Sequence, residues 1–302
     1  MPDRAHETRW TLLDALTTAA VMILLLCLLA PALGHSRQDA ERTTCADNLR
    51  QIGRGVDQHV DKKAVYPAVF VRNPRRHGWT AFVLPYLRQD LAEKYDFSAN
   101  WSDPANAEVI RQPIAIFECP TARYEGRSSK GVLPDTKNTY EGANLDYLAT
   151  NRISPQVVDS GWLPRNTQVN GILTREEWCR PSEIRDGVSS TILLAEVAGT
   201  PAKYVFRNKL PEPMYKQRGF GAWGDAGCYI QGHGHQPDGE KWPGFCAINC
   251  TNDDAVYSFH SGGAHLLFAD GSVRFASEQL DVFVLMAAIS RDNGELIHDR
   301  DF

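Results

Sequence analysis

From Ala15 to Gly34 the chain carries no charged residue, and a polar segment begins immediately afterwards. At about 1.5 Å of rise per residue, a helix of that length covers the roughly 30 Å hydrocarbon core of a bilayer. The wider run Leu12–Leu33 is interrupted by Asp14 and carries Pro31 near its end. A carboxylate near the membrane interface costs far less than one at mid-bilayer, and a proline there kinks a helix without abolishing it. Beyond the run, Cys45, Leu49, Ile52, Val56 and Val60 recur at steps of four, three, four and four. That spacing lays an apolar stripe along one helix face. The pattern predicts one long helix, with residues 10–33 spanning a membrane and residues 34–60 packing on a globular domain.

A cleaved secretory signal is the rival reading. Arg4 and Arg9 form a basic start, and Ala30-Pro31-Ala32 fits a small-x-small cleavage site. In the anchored reading residues 1–9 stay in the cytoplasm and the chain crosses the bacterial inner membrane once; in the rival it is secreted. Basic residues flank the run on both sides, with Arg37, Arg42, Arg50 and Arg54 after it, so charge asymmetry does not set the orientation. Both readings put residues 61–302 outside the cytoplasm.

Cysteine usage supports that compartment. Besides Cys27 in the apolar run there are Cys45, Cys119, Cys179, Cys228, Cys246 and Cys250, an even set that suits disulfides. Six cysteines allow fifteen pairings. The pairs expected here are Cys45 with Cys119, each flanking a core segment, and Cys228 with Cys246 or Cys250 inside one loop. A hydrophobic content of 43% supplies a core, and a net charge of -5 gives no nucleic-acid footprint. The basic cluster Arg72–Arg76 reads as solvated loop charge.

Arg9-Trp10-Thr11-Leu12-Leu13-Asp14 resembles a degraded type IV prepilin start, with Arg9 where processing needs glycine and Asp14 where pilins carry glutamate. Cys45-Ala46-Asp47-Asn48-Leu49-Arg50-Gln51-Ile52-Gly53 resembles the Cys-x-Asn-Asn-Leu-Lys-Gln-Ile-Gly block of a planctomycete family of unknown function. Members have a prepilin-like N-terminus and a C-terminal motif of His, nine residues, then Asp-Gly. Further matching blocks are Trp79–Leu87, Cys119-Pro120, Asp186-Gly187 with the hydroxyl-rich start of Ile192–Glu196, and His260 with Asp270-Gly271. The resemblance implies a pilin-like α+β fold, a long N-terminal helix against an antiparallel sheet with long loops. It implies no activity.

Along the body, Trp79–Leu87 and Asp90–Tyr95 read as short helices, Ile114–Cys119, Tyr140–Thr150 and Ser189–Glu196 as strands, and Pro181–Gly187 as a helical turn. Residues 219–250, rich in glycine and tryptophan, read as a long loop or insertion. Residues 257–276 hold the motif and a hairpin. A two-residue Asp270-Gly271 loop pairs Phe268 with Val273 and Leu266 with Phe275 on an apolar face. It puts His265 and Leu267 on the mixed face. Asp281–Ser290 reads as a helix and Glu295–His298 as an edge strand.

The candidate chemistry is sparse. No nucleophile elbow, phosphate-cradling loop or His-Glu-x-x-His is present. Cys228, His233, His235, Cys246 and Cys250 offer zinc-type ligands, and His260, His265 and Asp270 a second set. Asn252, Asp253 and Asp254 offer calcium oxygens, and Asp186, Ser189, Ser190 and Glu196 a polar group. Each has a structural alternative: disulfides, turn bonds, or His260 fixing the hairpin loop through Asp270 or the backbone. Trp223, His233, His235 and Trp242 form a candidate binding loop for sugars or proteins. The expectation is a non-catalytic envelope protein without cofactor, partnered by the membrane and by pilin-like or other envelope subunits. A solute- or glycan-binding module and a metal-dependent hydrolase are the alternatives.

Overall fold

The computed structural model describes residues 11–122, 126–133, 139–211, 221–294, 297 and 301–302. The Arg9-Trp10 start and most of the expected edge strand Glu295–His298 lie outside the described residues. Helix α1 runs from Leu12 to Lys63, through Pro31. The chain divides into two units at Thr43 and Thr44.

In the first unit, Thr11 and Asp14 open α1 with a reciprocal capping arrangement. The Thr11 backbone N–H donates to Asp14 Oδ2 at 3.0 Å, and the Asp14 N–H donates to Thr11 Oγ1 at 3.2 Å. This satisfies donors that a helix start leaves orphaned. The apolar side chains that follow are uncovered: Leu12 is 80% exposed and Met22 65%. Side chains of residues 25–36, in the rest of the apolar run, are not among those described. Among the described residues no helix is long and apolar enough to cross a membrane.

The second unit holds every other element. Residues Phe70–Val71 (β1) and His77–Gly78 (β2) pair, and Trp79–Leu87 (α2), Gln89–Ala92 (α3) and Pro104–Ile110 (α4) follow. Ser129–Val132 (β3) and Thr139–Gly142 (β4) form a second ribbon. Then come Tyr147–Ile153 (β5), Pro155–Asp159 (α5), Ile192–Glu196 (β6), the short pair Tyr204–Val205 (β7) and Asn208–Lys209 (β8), and Tyr229–Gly232 (β9). Gly263–Phe268 (β10), Val273–Ser277 (β11) and Val282–Ile289 (α6) close the body.

The main sheet has the order β11-β10-β6-β5-β9, antiparallel except for the parallel edge pair β5/β9. The fold is thus α+β with a mixed sheet rather than a purely antiparallel one. Part of the expected loop 219–250 is that edge strand. Ile114–Cys119 is a 3-10 turn at Ala115–Phe117, not a strand. Pro120 begins the next such turn, which ends the extended path there.

Within this unit the stripe of α1 faces the sheet. Cys45, Leu49, Ile52 and Val56 are all fully buried. Each such burial contributes about 1.5–3 kcal/mol relative to exposure. Gly53 allows the close approach: a Cβ there would lie 3.2 Å from Leu267 Cδ1 on β10. The helix ends at Lys62 and Lys63, whose charges meet its dipole, and Ala64 follows at φ 60° with its N–H on Val60 O.

The hairpin register differs by one residue from expectation. Phe268 pairs with Ser272, leaving Ala269-Asp270-Gly271 as the loop, with a turn bond from the Gly271 N–H to Phe268 O. Gly271 takes φ 80°, the left-handed residue of a three-residue hairpin loop. Leu267 therefore pairs with Val273 and His265 with Phe275. Strand β10 is buried on both faces, not half-buried. His265 and Leu267, expected on the mixed face, lie on the face that meets α1, because β10 is an interior strand covered on both sides.

Candidate functional site

That face assembles a buried polar centre. Residues two apart on a strand share a side, so Tyr147 of β5, Glu196 of β6 and His265 of β10 line up beneath α1. The register pairs Tyr147 with Glu196. Cys45 reaches the centre from the first buried turn of α1, Cys119 from the end of the 3-10 turn, and His260 from the segment before β10. Ligand-type atoms of Cys45, Cys119, Glu196 and His260 all lie within 4.8 Å of one another. Cys45, Cys119 and Glu196 are completely buried and His260 nearly so.

The distances define the arrangement. Cys45 Sγ and Cys119 Sγ are 2.8 Å apart, within hydrogen-bond reach, and the expected disulfide between them is not formed. His260 Nε2 lies 3.7 Å from Cys119 Sγ and 3.4 Å from Glu196 Oε1. Glu196 Oε2 accepts from the His265 backbone N–H and faces His265 Nδ1, each at 3.1 Å. Its other oxygen, Oε1, makes no hydrogen bond. Burial alone would raise the Glu196 carboxyl; the His265 bond and the charges of His260 and His265 overcome this and hold it below the usual carboxylate range. Burial, reinforced by the contact with Cys45, pushes the Cys119 thiol well up.

A second buried group holds Cys119 in place. Asp146 Oδ2 accepts from the Cys119 N–H at 2.8 Å, and Oδ1 accepts from the Gly199 N–H at 3.0 Å. Arg127 grips both carboxylate oxygens. Asn48 donates from Nδ2 to Glu118 O and to the Tyr147 hydroxyl, each at 3.3 Å. Three of the family-like blocks thus meet at one point, on Cys45, Cys119 and His260, and the strand that follows a fourth adds Glu196.

The remaining expected residues serve elsewhere. Leu49 is core and Gln51 is exposed. Asp186 accepts from the Asn293 and Gly294 N–H groups and from Ser290 Oγ, tying down the segment after α6, and Gly187 takes φ 93°. Asp270 accepts from the Ser272 N–H inside the hairpin turn. His260 therefore serves the cysteine centre, and the set His260, His265, Asp270 does not form. Asn252 and Asp254 accept backbone N–H groups of Tyr204 and Gln231, and Asp253 meets Lys203, so no calcium loop forms.

The expected pairing of Cys228 is corrected. Cys246 and Cys250 are bonded to each other, and Cys228 is buried with its thiol donating to Ala222 O at 3.0 Å. The binding loop also divides. Trp223 is fully buried and donates to Gln112 O, whereas Trp242 is partly exposed over His233 at 5.4 Å. His233 Nε2 and His235 Nε2 are 3.1 Å apart, and burial pushes His235 down to about 4. A cleft unmarked as such in the sequence lies at Trp178, stacked on His59 at 5.9 Å and edged by Phe82, Tyr86, Phe97 and Lys63.

Glu196 and His265 each belong to a candidate set in the sequence, but neither set joins them to the cysteines. Each is a lone polar residue in an otherwise apolar strand. A family model matches residues 34–282, and its family is described as protein of unknown function (DUF1559). No curated protein and no solved structure matches the chain.

Proposed function

We propose, for a chain that belongs to the DUF1559 family, the role of a membrane-anchored, pilin-like, non-catalytic envelope subunit with its body outside the cytoplasm. The observation that carries this reading is the contrast within α1. Its turns from Cys45 to Val56 bury their apolar stripe, while Leu12, Leu13, Leu16, Val21, Met22, Ile23 and Leu24 stand exposed without regard to helix face. A helix that is apolar all round needs lipid or protein around it. The Cys246–Cys250 disulfide supports an oxidising compartment. The full burial of Cys45, Cys119 and Glu196 supports a structural centre.

Fractionation of cells making the full chain tests the reading. It expects the protein in the membrane pellet through high-salt and alkaline washes, released by detergent, with the body digested by protease added outside the inner membrane. A protein recovered in the soluble fraction contradicts it. The glycan-binding alternative now rests on Trp178, which is 40% exposed over its aromatic cleft, rather than on residues 219–250. Its signature is sugar-dependent quenching of tryptophan fluorescence that Trp178→Phe abolishes.

A further inference from the structure

We infer that Cys45, Cys119, Glu196 and His260 bind a single zinc-like d-block ion that fastens the second half of α1 to the sheet. Two thiolates, one imidazole Nε2 and one carboxylate oxygen are a ligand set suited to tetrahedral zinc, whereas hard cations such as magnesium and calcium demand oxygen donors throughout. A tetrahedral zinc site separates its ligand atoms by about 3.3–3.8 Å. His260 Nε2 to Cys119 Sγ, 3.7 Å, and His260 Nε2 to Glu196 Oε1, 3.4 Å, already meet that spacing. The two sulfurs, at 2.8 Å, must part by about 1 Å on binding. The two thiols stand in direct contact and are not disulfide-linked, so a disulfide and an ion are the two ways this pair can be closed.

The carboxylate decides between these. Glu196 is completely buried, and Oε1 meets His260 Nε2 as a 3.4 Å ion pair but accepts no hydrogen bond among the described residues. A disulfide is neutral and gives that oxygen no partner beyond His260, whereas a metal cation ligates it directly. The groups behind the ligands are those a metal centre requires. His265 holds Glu196 by Oε2, leaving Oε1 for the ion, and Asp146 fixes the Cys119 backbone. Four buried protein ligands fill a tetrahedral shell, which is the pattern of a structural ion.

The test uses the full chain in detergent, purified without chelator or reductant. Elemental analysis is expected to find about one zinc or other d-block ion per chain. Peptide mapping is expected to find Cys45 and Cys119 unlinked. Glu196→Gln and His260→Ala are expected to lose the ion to a competing chelator at least about tenfold faster than the parent. Where those variants do not fold, protein grown on cobalt in place of zinc serves instead, and thiolate-to-cobalt charge-transfer absorption is expected. A metal-free protein overturns the inference, whether its two sulfurs are linked or reduced. So does metal retained by the Cys45→Ser, Cys119→Ser double variant, or cobalt protein without that absorption.

Discussion

Asp225 is buried, and burial pushes its carboxyl up to about 7, against the opposing pull of the Gly227 N–H and the Arg76 charge. Its unfolded value is 3.8, so between pH 4 and 7 the folded state holds a proton that the unfolded state has released. Stability from this group is therefore present at low pH, falls as pH rises through that window, and is flat above it. Asp225→Asn keeps the bond from Gly227 and removes the titration. The variant is expected to gain on the parent by up to a few kcal/mol from pH 4 to 7, read by urea unfolding at each pH. A gap that stays constant with pH contradicts this. Arg127 poses the complementary case, since it neutralises the fully buried Asp146. Arg127→Met leaves that charge unpaired and is expected to cost about 3–5 kcal/mol in the same assay. At this scale the sequence was legible where chemistry is local. Cys45 and Cys119 are expected to form a disulfide because both flank core segments; they meet, but as two free thiols and not as a disulfide. Glu196 was legible only as a polar residue grouped with Asp186, Ser189 and Ser190, not as a neighbour of the cysteines, because its partners come from β10 and from the segment before it.

Gly263 and Gly271 show how the β10/β11 hairpin is held at the level of the element. A Cβ at Gly263 would stand 2.0 Å from the Ala276 carbonyl oxygen, a backbone atom that cannot swing aside. Gly263→Ala is expected to destabilise by at least about 1–3 kcal/mol, as overpacking does. Gly271→Ala meets no crowding beyond an Asp57 oxygen at 3.9 Å but keeps φ 80°, and is expected to cost only about 1 kcal/mol. Thermal unfolding of the two variants checks the order, and the reverse order contradicts the packing described. Element positions were legible wherever periodicity and turn chemistry agreed, as in α1, α2, β6 and α6. The hairpin was recognised from Asp270-Gly271, but its register was not. Dipeptide chemistry does not distinguish a two-residue loop from a three-residue loop that ends in the same glycine. Tyr229–Gly232 was hidden in a glycine-rich stretch because its partner, β5, lies about eighty residues earlier.

For the whole molecule, the two units of the chain make separable demands. Residues 44–302 bury a continuous core that includes the stripe of α1 from Cys45 to Val56, so this unit does not need the apolar run for its own packing. Removal of residues 1–34 is expected to leave a soluble protein whose unfolding midpoint lies within about 2 °C of that of the detergent-solubilised full chain. A deletion that aggregates or unfolds shows that the run is part of the fold. The family resemblance made the α+β class legible, whereas sheet order depends on distant pairings that no window of sequence contains. The claim most exposed to a single experiment is that the mature protein keeps its apolar helix. The mass of its N-terminal peptide, measured on protein from native cells and medium without prior fractionation, is expected to show a chain beginning at Met1, Pro2 or Trp10. A chain beginning at Leu33 would mean that the helix had been cut away, and the account of an anchored subunit would be wrong.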